Sequence, residues 1–457
     1  MQDEIVSPAD VTARLRAGVT GEVITPADEG YDKARTIFQG GIDRRPAVIV
    51  RATDAADVAH VVSVAASSSL PLAVRSGGHS LYGVWDDAIV LDLSKMTALD
   101  IDVEGRTAWA EPGLEAGAYT NAAGEHGLVT GFGDTASVGL GGLTIGGGIG
   151  YLVRKYGLTI DNLLAAEVVT ADGRQLTVDA DNNPDLFWGI RGGGGNFGVV
   201  TKFKYKLHPE PTVLGGLLIM PATAELITEY MRISLEAPDE LSSIINVMPA
   251  PPMPGVPEEA VGQLVVFAII VYAGDPEEGE RVLAPIRELG VLVDMVQPMP
   301  YGGIYQPEDP DYHPLTYSRT NFVDNFDLET AGKILDTLRT SSASMPVAQL
   351  RALGGAMARV PVDATAFAHR KRKIMFTAAV VFEKPDEADE QRAWVDEFAK
   401  VLYEPGGGTY VNFLYDDGPE RIHEAYPDAT YARLVELKRK YDPDNVFRLN
   451  NGTISPT

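Results

Sequence analysis

Residues 75–80 read Arg-Ser-Gly-Gly-His-Ser, and His79 is the side chain best placed for chemistry. It follows two glycines at the end of a short apolar stretch, Leu72-Ala73-Val74, that reads as a strand. A strand that empties into a Gly-Gly turn lets main-chain N–H groups approach a phosphate closely, because no Cβ stands in the way. An imidazole beside such a cradle can touch, or bond to, a large phosphorylated cofactor. Two denser glycine clusters lie downstream. Seven glycines fall in the twelve residues 139–150, and Arg191-Gly-Gly-Gly-Gly-Asn196-Phe197-Gly198 forms the second cluster. No ordinary helix or strand is expected at that density, because each glycine costs conformational entropy; close backbone approach is. Neither cluster fits the Gly-x-Gly-x-x-Gly dinucleotide fingerprint, and no P-loop motif occurs.

The elements that must position these residues begin as strand, helix, strand, loop. Residues 46–51 read as a strand, and Thr53 is placed to cap the next helix, with Asp54 and Asp57 in its first turn. Val58, Val61, Val62 and Ala65 then recur at helical spacing. The strand at 71–75 delivers the Gly77-Gly78-His79 turn. Strands follow at 88–93 and 107–111, a helix at 114–126, and a hairpin over 164–179 turning at Ala171-Asp172-Gly173. A short helix starts at Pro184, and after the second glycine cluster Phe203, Tyr205 and Leu207 alternate with Lys202, Lys204 and Lys206, a half-buried strand. Composition shifts after His208-Pro209-Glu210-Pro211. Residues 210–405 carry apolar strands (265–272, 374–382), amphipathic helices (about 222–235, 276–289, 387–403) and a proline-rich loop at 249–254, the pattern of an antiparallel sheet backed by helices.

Composition narrows the function classes. A chain of 457 residues is too long for one compact core, so two domains are expected. The longest apolar run, Val265 to Val271, is far short of the roughly 20 residues that cross a bilayer. A net charge of −26 argues against nucleic-acid and anionic-membrane partners. With no cysteine, disulfides, thiolate nucleophiles and thiolate metal sites are excluded. The seven histidines show no His-x-x-x-His spacing, so no metal is expected. Residues 1–5 have neither a basic nor an apolar leader segment, so no signal peptide is expected and the location reads as cytoplasmic.

The motifs occur in one order: Arg75 to Ser80, the 138–150 cluster, Tyr156-Gly157-Leu158-x-x-Asp161-Asn162, Arg191 to Val200, and Tyr441-Asp442-Pro443-x-Asn445-x-Phe447-Arg448-x-Asn450. This resembles the vanillyl-alcohol-oxidase superfamily with its PCMH-type FAD-binding domain and, within it, the berberine-bridge-enzyme-like oxidases. The resemblance implies an α+β fold: a two-part FAD-binding domain at 1–208 (core about 44–208), a substrate domain at 209–405 with an antiparallel sheet backed by helices, and a segment at 406–457 completing the FAD site. It implies FAD bonded covalently through His79 to the flavin 8α-methyl. It also implies cofactor contacts from Arg75, Ser76, Gly77, Gly78, Ser80, Tyr82, Gly83, Thr135, Val138, Gly139, Gly142, Thr144, Gly146, Gly147, Gly150, Val200, Asn412 and Asn450.

Many relatives carry a second, cysteinyl link three residues before the Val-Gly-x-Gly-Gly segment. Thr135 stands there, so a single histidyl link is expected. Val138 occupies the place of a small residue beside flavin C4a, which implies room for dioxygen. Tyr410-Val411-Asn412-Phe413 is similar to the family's Tyr-x-Asn-Tyr strand, with Tyr410 and Asn412 on one face. Tyr410 is the expected base or hydrogen-bonding partner and Asn412 a flavin or substrate contact. Phe413 replaces the family's second tyrosine, and the strand at 374–382 has Thr377 as its only polar side chain where some relatives place a carboxylate. Tyr317, Arg359 and His369 are further pocket candidates. The implied activity is hydride transfer from an alcohol, sugar or amine (alkaloid included) to flavin N5, with dioxygen reoxidising the flavin to give hydrogen peroxide. A dehydrogenase with another electron acceptor and a flavin-carrying protein without catalysis are the two alternatives. The expected partners are a small-molecule substrate and dioxygen, in a monomer or small homo-oligomer.

Overall fold

The computed structural model describes residues 8–210, 212–253, 255–306, 308–415 and 418–457. The expectations attached to residues 1–5, Pro211 and Pro254 lie outside the described residues. The chain builds a four-stranded, a five-stranded and an eight-stranded sheet, plus one two-stranded pairing.

In the four-stranded sheet, Val48–Arg51, Ile89–Asp92 and Leu72–Arg75 run parallel, and Glu22–Ile24 closes one edge antiparallel. The helix Ala55–Ala66 makes the crossover and buries Val58, Val61, Val62 and Ala65, the apolar face read from the sequence. Its cap is Asp54, whose side chain accepts the Ala56 and Asp57 N–H groups, and not Thr53. Thr53 instead donates its N–H and hydroxyl to the buried Asp57 carboxylate, which also gathers Thr20 and Gly21. That second demand on Thr53 leaves the cap to its neighbour.

The five-stranded sheet is antiparallel, in the order Leu99–Asp102, Thr107–Ala110, Val199–Lys206, Leu163–Val169, Gln175–Asp179. The expected hairpin turns at Gly173, whose φ of +78° suits glycine. The 139–150 cluster departs from expectation, because Leu140–Gly146 is helical. Here packing overrides propensity: a Cβ on Gly141 would sit 3.1 Å from the Ser76 side chain and 3.2 Å from that of Pro112, so this bare helix lies tightly against its neighbours.

The eight-stranded sheet spans Val213–Pro221 to Ile374–Phe382 in sequence and is antiparallel throughout. Helices Ala224–Glu236, Pro276–Arg287, Leu328–Leu338 and Ala388–Ala399 cover one face, burying Tyr230, Leu283, Ile334 and Phe398 against Phe376 and its neighbours. The opposite face is left for a cavity. Among the described residues no helix is long and apolar enough to cross a membrane.

The C-terminal helix Asp428–Tyr441 returns the chain to the first half, where Leu449 pairs in parallel with Ala73. A fully buried ion pair fixes this return. Lys438 donates to Asp442 at 2.7 Å and to the carbonyls of Asn196 and Phe447 at 2.9 and 2.8 Å. Asp442 in turn accepts the N–H groups of Val446 and Phe447. Asp442→Asn keeps the shape but leaves the ammonium without its counter-charge. The expected loss is about 3–5 kcal/mol of unfolding free energy, read by denaturant titration, and a loss under about 1 kcal/mol would contradict a clasp that depends on the charge.

Candidate functional site

One cavity of about 530 Å³ is lined by the 72–83 turn, the 133–142 segment, the second glycine cluster, the tail at 447–451 and the open face of the large sheet. That volume lies inside the roughly 300–1,000 Å³ common for ligand sites. At one end, the N–H groups of Gly77, Gly78, His79 and Ser80 take no protein acceptor among the described residues. Gly78 has φ +77°, and a Cβ on Gly77 or Gly139 would run into the other's backbone. Ser80 donates to Asn451 at 2.7 Å, tying the turn to the tail. Arg75 does not face a ligand as a free cation, because it pairs with buried Asp92 at 2.5 Å. Asn450 Oδ1 is buried without a partner on the same wall.

His79 lies on the wall with its ring stacked on Phe38, centroids 4.5 Å apart and planes 19° from parallel. Its Nε2 meets Ser137 Oγ at 2.9 Å. Burial pushes the imidazole below its ordinary pKa, against the opposing pull of Glu308, the Ser137 main chain and Asp134, so the ring favours the neutral form.

At the other end, the sheet presents a polar row set by register: Thr320, Thr377, Gln349 and Asn246 on adjacent strands. The two threonine hydroxyls are 2.9 Å apart, and Gln349 donates to Asn246 at 2.9 Å. Arg351 donates twice to Gln349 Oε1 and pairs with Asp134 at 2.5 Å, joining the sheet to the 133–142 segment. Above the row, Tyr410 and Asn412 are not on a strand: Val411–Phe413 is a single 3-10 turn. The turn achieves what a strand was expected to achieve, since Asn412 Nδ2 donates to the Tyr410 hydroxyl oxygen at 2.9 Å. Gly148 N–H donates to the same oxygen at 2.8 Å. Burial pushes the Tyr410 phenol up to about 12, while Gly148, Asn412 and Arg351 pull it down.

Most expected contacts are brought together. Arg75, Ser76, Gly77, Gly78, His79, Ser80, Tyr82, Gly83, Thr135, Val138, Gly139, Gly142, Val200, Tyr410, Asn412 and Asn450 all line the cavity. Thr144, Gly146, Gly147 and Gly150 do not. Thr144 is buried against the Tyr205 hydroxyl at 2.7 Å, and the three glycines make room for Asn412, for Phe367 and Tyr410, and for the Phe132 carbonyl respectively. They are packing positions behind the wall. Tyr317 lines the cavity, but Arg359 pairs with Asp239 at the surface, and His369 is buried on the Ala425 carbonyl, pushed down to about 4 by burial.

Sequence reading missed Phe38, Asp134, Ser137, Gln349 and Arg351. Gln349 and Arg351 carried a signal, because residues two apart on a strand share a face. Phe38, Asp134 and Ser137 sit on irregular segments with no periodicity to read. Among the described residues no group of three His, Asp or Glu side chains could hold a metal.

The arrangement fits a flavin dinucleotide: unpaired amides for phosphate, an orphan acceptor, and a neutral imidazole on the wall. Comparison with known proteins agrees. The family described as FAD binding domain matches residues 46–179, and the family described as berberine and berberine like matches residues 409–453. An FAD-linked oxidoreductase of Bacillus subtilis, YvdP, is 30% identical over 94% of this chain and 97% of its own. The (R)-6-hydroxynicotine oxidase of Paenarthrobacter nicotinovorans is 31% identical over 94% of this chain and 96% of its own. The crystal structure of 6-hydroxy-D-nicotine oxidase from Arthrobacter nicotinovorans superposes with a TM-score of 0.86 at 29% identity, covering 96% of this chain and 98% of that one.

Gly77→Ala tests the cradle. Its methyl would push into Gly139, an overpacking cost of roughly 1–3 kcal/mol. The flavin-to-protein absorbance ratio of purified protein is expected to fall, and an unchanged ratio would show that the two segments can part without harm.

Proposed function

The chain belongs to the berberine-bridge-enzyme-like family of FAD-linked oxidoreductases, and from that premise we propose that it is an oxidase carrying FAD on His79 that takes hydride from a small alcohol, sugar or amine and passes the electrons to dioxygen. The observation that carries this reading is the single cavity running from the unpaired amides at 77–80 to the polar row beneath Tyr410. The site fits a flavin placed between the two, which when bound supplies a two-electron acceptor.

The chain's own residues then divide the work. The amides of Gly77 to Ser80 hold phosphate, and Asn450 Oδ1 is an acceptor for one of the cofactor's donors. His79, neutral and held on two sides, supplies the lone pair for attachment, with Thr135 in place of a second link. Val138 and Gly142 keep the wall low for dioxygen; a Cβ on Gly142 would meet nothing within 4 Å. Thr377, Gln349 and Arg351 form the surface on which substrate lies. Tyr410 takes the substrate proton; two N–H donors on its oxygen hold the phenolate and offset part of the burial that opposes it. Asn412 commits its amide to Tyr410 and to the Leu143 carbonyl, fixing the phenol oxygen over the floor. The relative named for (R)-6-hydroxynicotine puts amines among the first substrates to try.

The deciding experiment is an anaerobic panel of alcohols, sugars and amines, scored by loss of visible flavin absorbance, followed by admission of air. Bleaching with prompt recovery and peroxide supports the oxidase. Bleaching with sluggish recovery favours the dehydrogenase, and no bleaching after the flavin has been shown photoreducible favours a protein without catalysis. His79→Ala is expected to leave any bound FAD extractable by acid. With Tyr410 pushed up to about 12 by burial, the reactive phenolate is scarce at neutral pH. The wild-type kcat/KM should therefore rise about ten-fold per pH unit between roughly pH 8 and 10. Tyr410→Phe should lose that slope and roughly 10²–10⁴-fold in kcat, and a retained slope would remove Tyr410 as the base.

A further inference from the structure

On the reading that His79 carries the flavin, we propose that Ser137 is the positioning residue for the attachment: its hydroxyl holds Nε2 of His79 and thereby presents Nδ1 as the atom that bonds to the 8α carbon. Two contacts fix the imidazole. Phe38 lies against its face at 4.5 Å, and Ser137 Oγ sits 2.9 Å from Nε2. The side-chain hydrogen bond of the ring is made at Nε2, and His79 borders the cavity. Face and edge together leave Nδ1 outside that side-chain bond. The main chain holds both partners in place: Phe38 N–H donates to the Gly78 carbonyl at 2.9 Å, and Ala136 N–H, beside Ser137, donates to Glu308 at 3.1 Å.

The chemistry explains why a hydroxyl is needed. Before attachment Nε2 bears the hydrogen and donates it to Ser137 Oγ, so the lone pair is on Nδ1. That lone pair forms the new bond to the 8α carbon in place of one methyl hydrogen. The methyl hydrogen and the Nε2 hydrogen leave as protons, and the two electrons released pass to dioxygen, which takes both protons and becomes hydrogen peroxide. Afterwards Nε2 has a lone pair and no hydrogen. Ser137 must then rotate its hydroxyl from acceptor to donor. A serine or threonine hydroxyl serves both states; a methyl serves neither.

The test uses chain produced without flavin in a riboflavin-starved host and then given FAD. Acid-stable flavin is followed in time, and the linkage isomer is identified in the flavin peptide. Ser137→Ala is expected to attach about ten-fold more slowly, as a mixture of Nδ1 and Nε2 isomers, with its reversible FAD affinity within about two-fold of wild type. Ser137→Thr should attach within about three-fold of the wild-type rate and through Nδ1 alone. Attachment of Ser137→Ala at the wild-type rate and through Nδ1 alone overturns the proposal. So does wild-type linkage through Nε2, whatever the variants do. Acid-stable flavin on His79→Ala, or none on the wild type, instead removes the reading beneath it.

Discussion

The cavity depends on one buried ion pair that is nowhere near its chemistry. Lys438 and Asp442 have no solvent contact, and each is saturated, Asp442 by neighbouring amides and Lys438 by the carbonyls of Phe447 and distant Asn196. An isolated buried charge would cost several kcal/mol, so the pair is tolerable only because every donor and acceptor is used. That condition is also what gives it directional power. The ammonium reaches the Asn196 carbonyl in the second glycine cluster, while the carboxylate turns the chain at 446–447. Asn196 then accepts the Ile454 N–H and donates to Gly452, so the tail is laced along the cluster. Leu449 can pair with Ala73, and Asn451 can meet Ser80, only because the chain is returned at this point.

The same logic runs through the glycines. Gly139 packs against Gly77, Gly146 against Asn412, and Gly148 against Thr159, each at a spacing that leaves no volume for a Cβ. The first two are contacts between segments far apart in sequence, and they bring backbone amides and the Asn412 side chain to the cavity. Flexibility in the unfolded chain is the cost. Close approach of one segment to another is the gain, and at Gly77 it leaves the amides of 77–80 without a protein acceptor among the described residues, open to a ligand.

Much of this is legible in the order of residues alone. Periodicity places Val58, Val61 and Val62 on a buried helix face and Phe203 and Tyr205 on a buried strand face, because one-sided burial imposes its period directly on the sequence. The His79 turn is legible because a strand running into Gly-Gly is a local event. Local reasoning fails where tertiary contact decides. Leu140–Gly146 is helical in spite of its glycines because its neighbours enclose it. Thr144 and Gly150 read as wall and are backing. Ser137, which meets His79 across 58 positions of chain, has no pattern to betray it.

The electrostatics of the wall bear on what can bind there. Its ionisable side chains are Arg75, His79, Asp134 and Arg351 alongside the phenols. Arg75 is matched by Asp92, Arg351 by Asp134, and burial favours neutral His79. The chain carries −26 overall, so an anionic cofactor approaches an unfavourable field with no unmatched cation among the described wall residues to meet it. Recognition of its phosphates then rests on main-chain dipoles, which bind through geometry and not through net charge. The proposed bond to His79 would suit such a site, because a cofactor so attached could not be lost to dilution. The substrate end has the same balance. An ionised substrate would shed its hydration against a paired Arg351–Asp134 and gain no counter-charge in return. A neutral alcohol, which gives up its proton only at Tyr410, or an unprotonated amine avoids that cost.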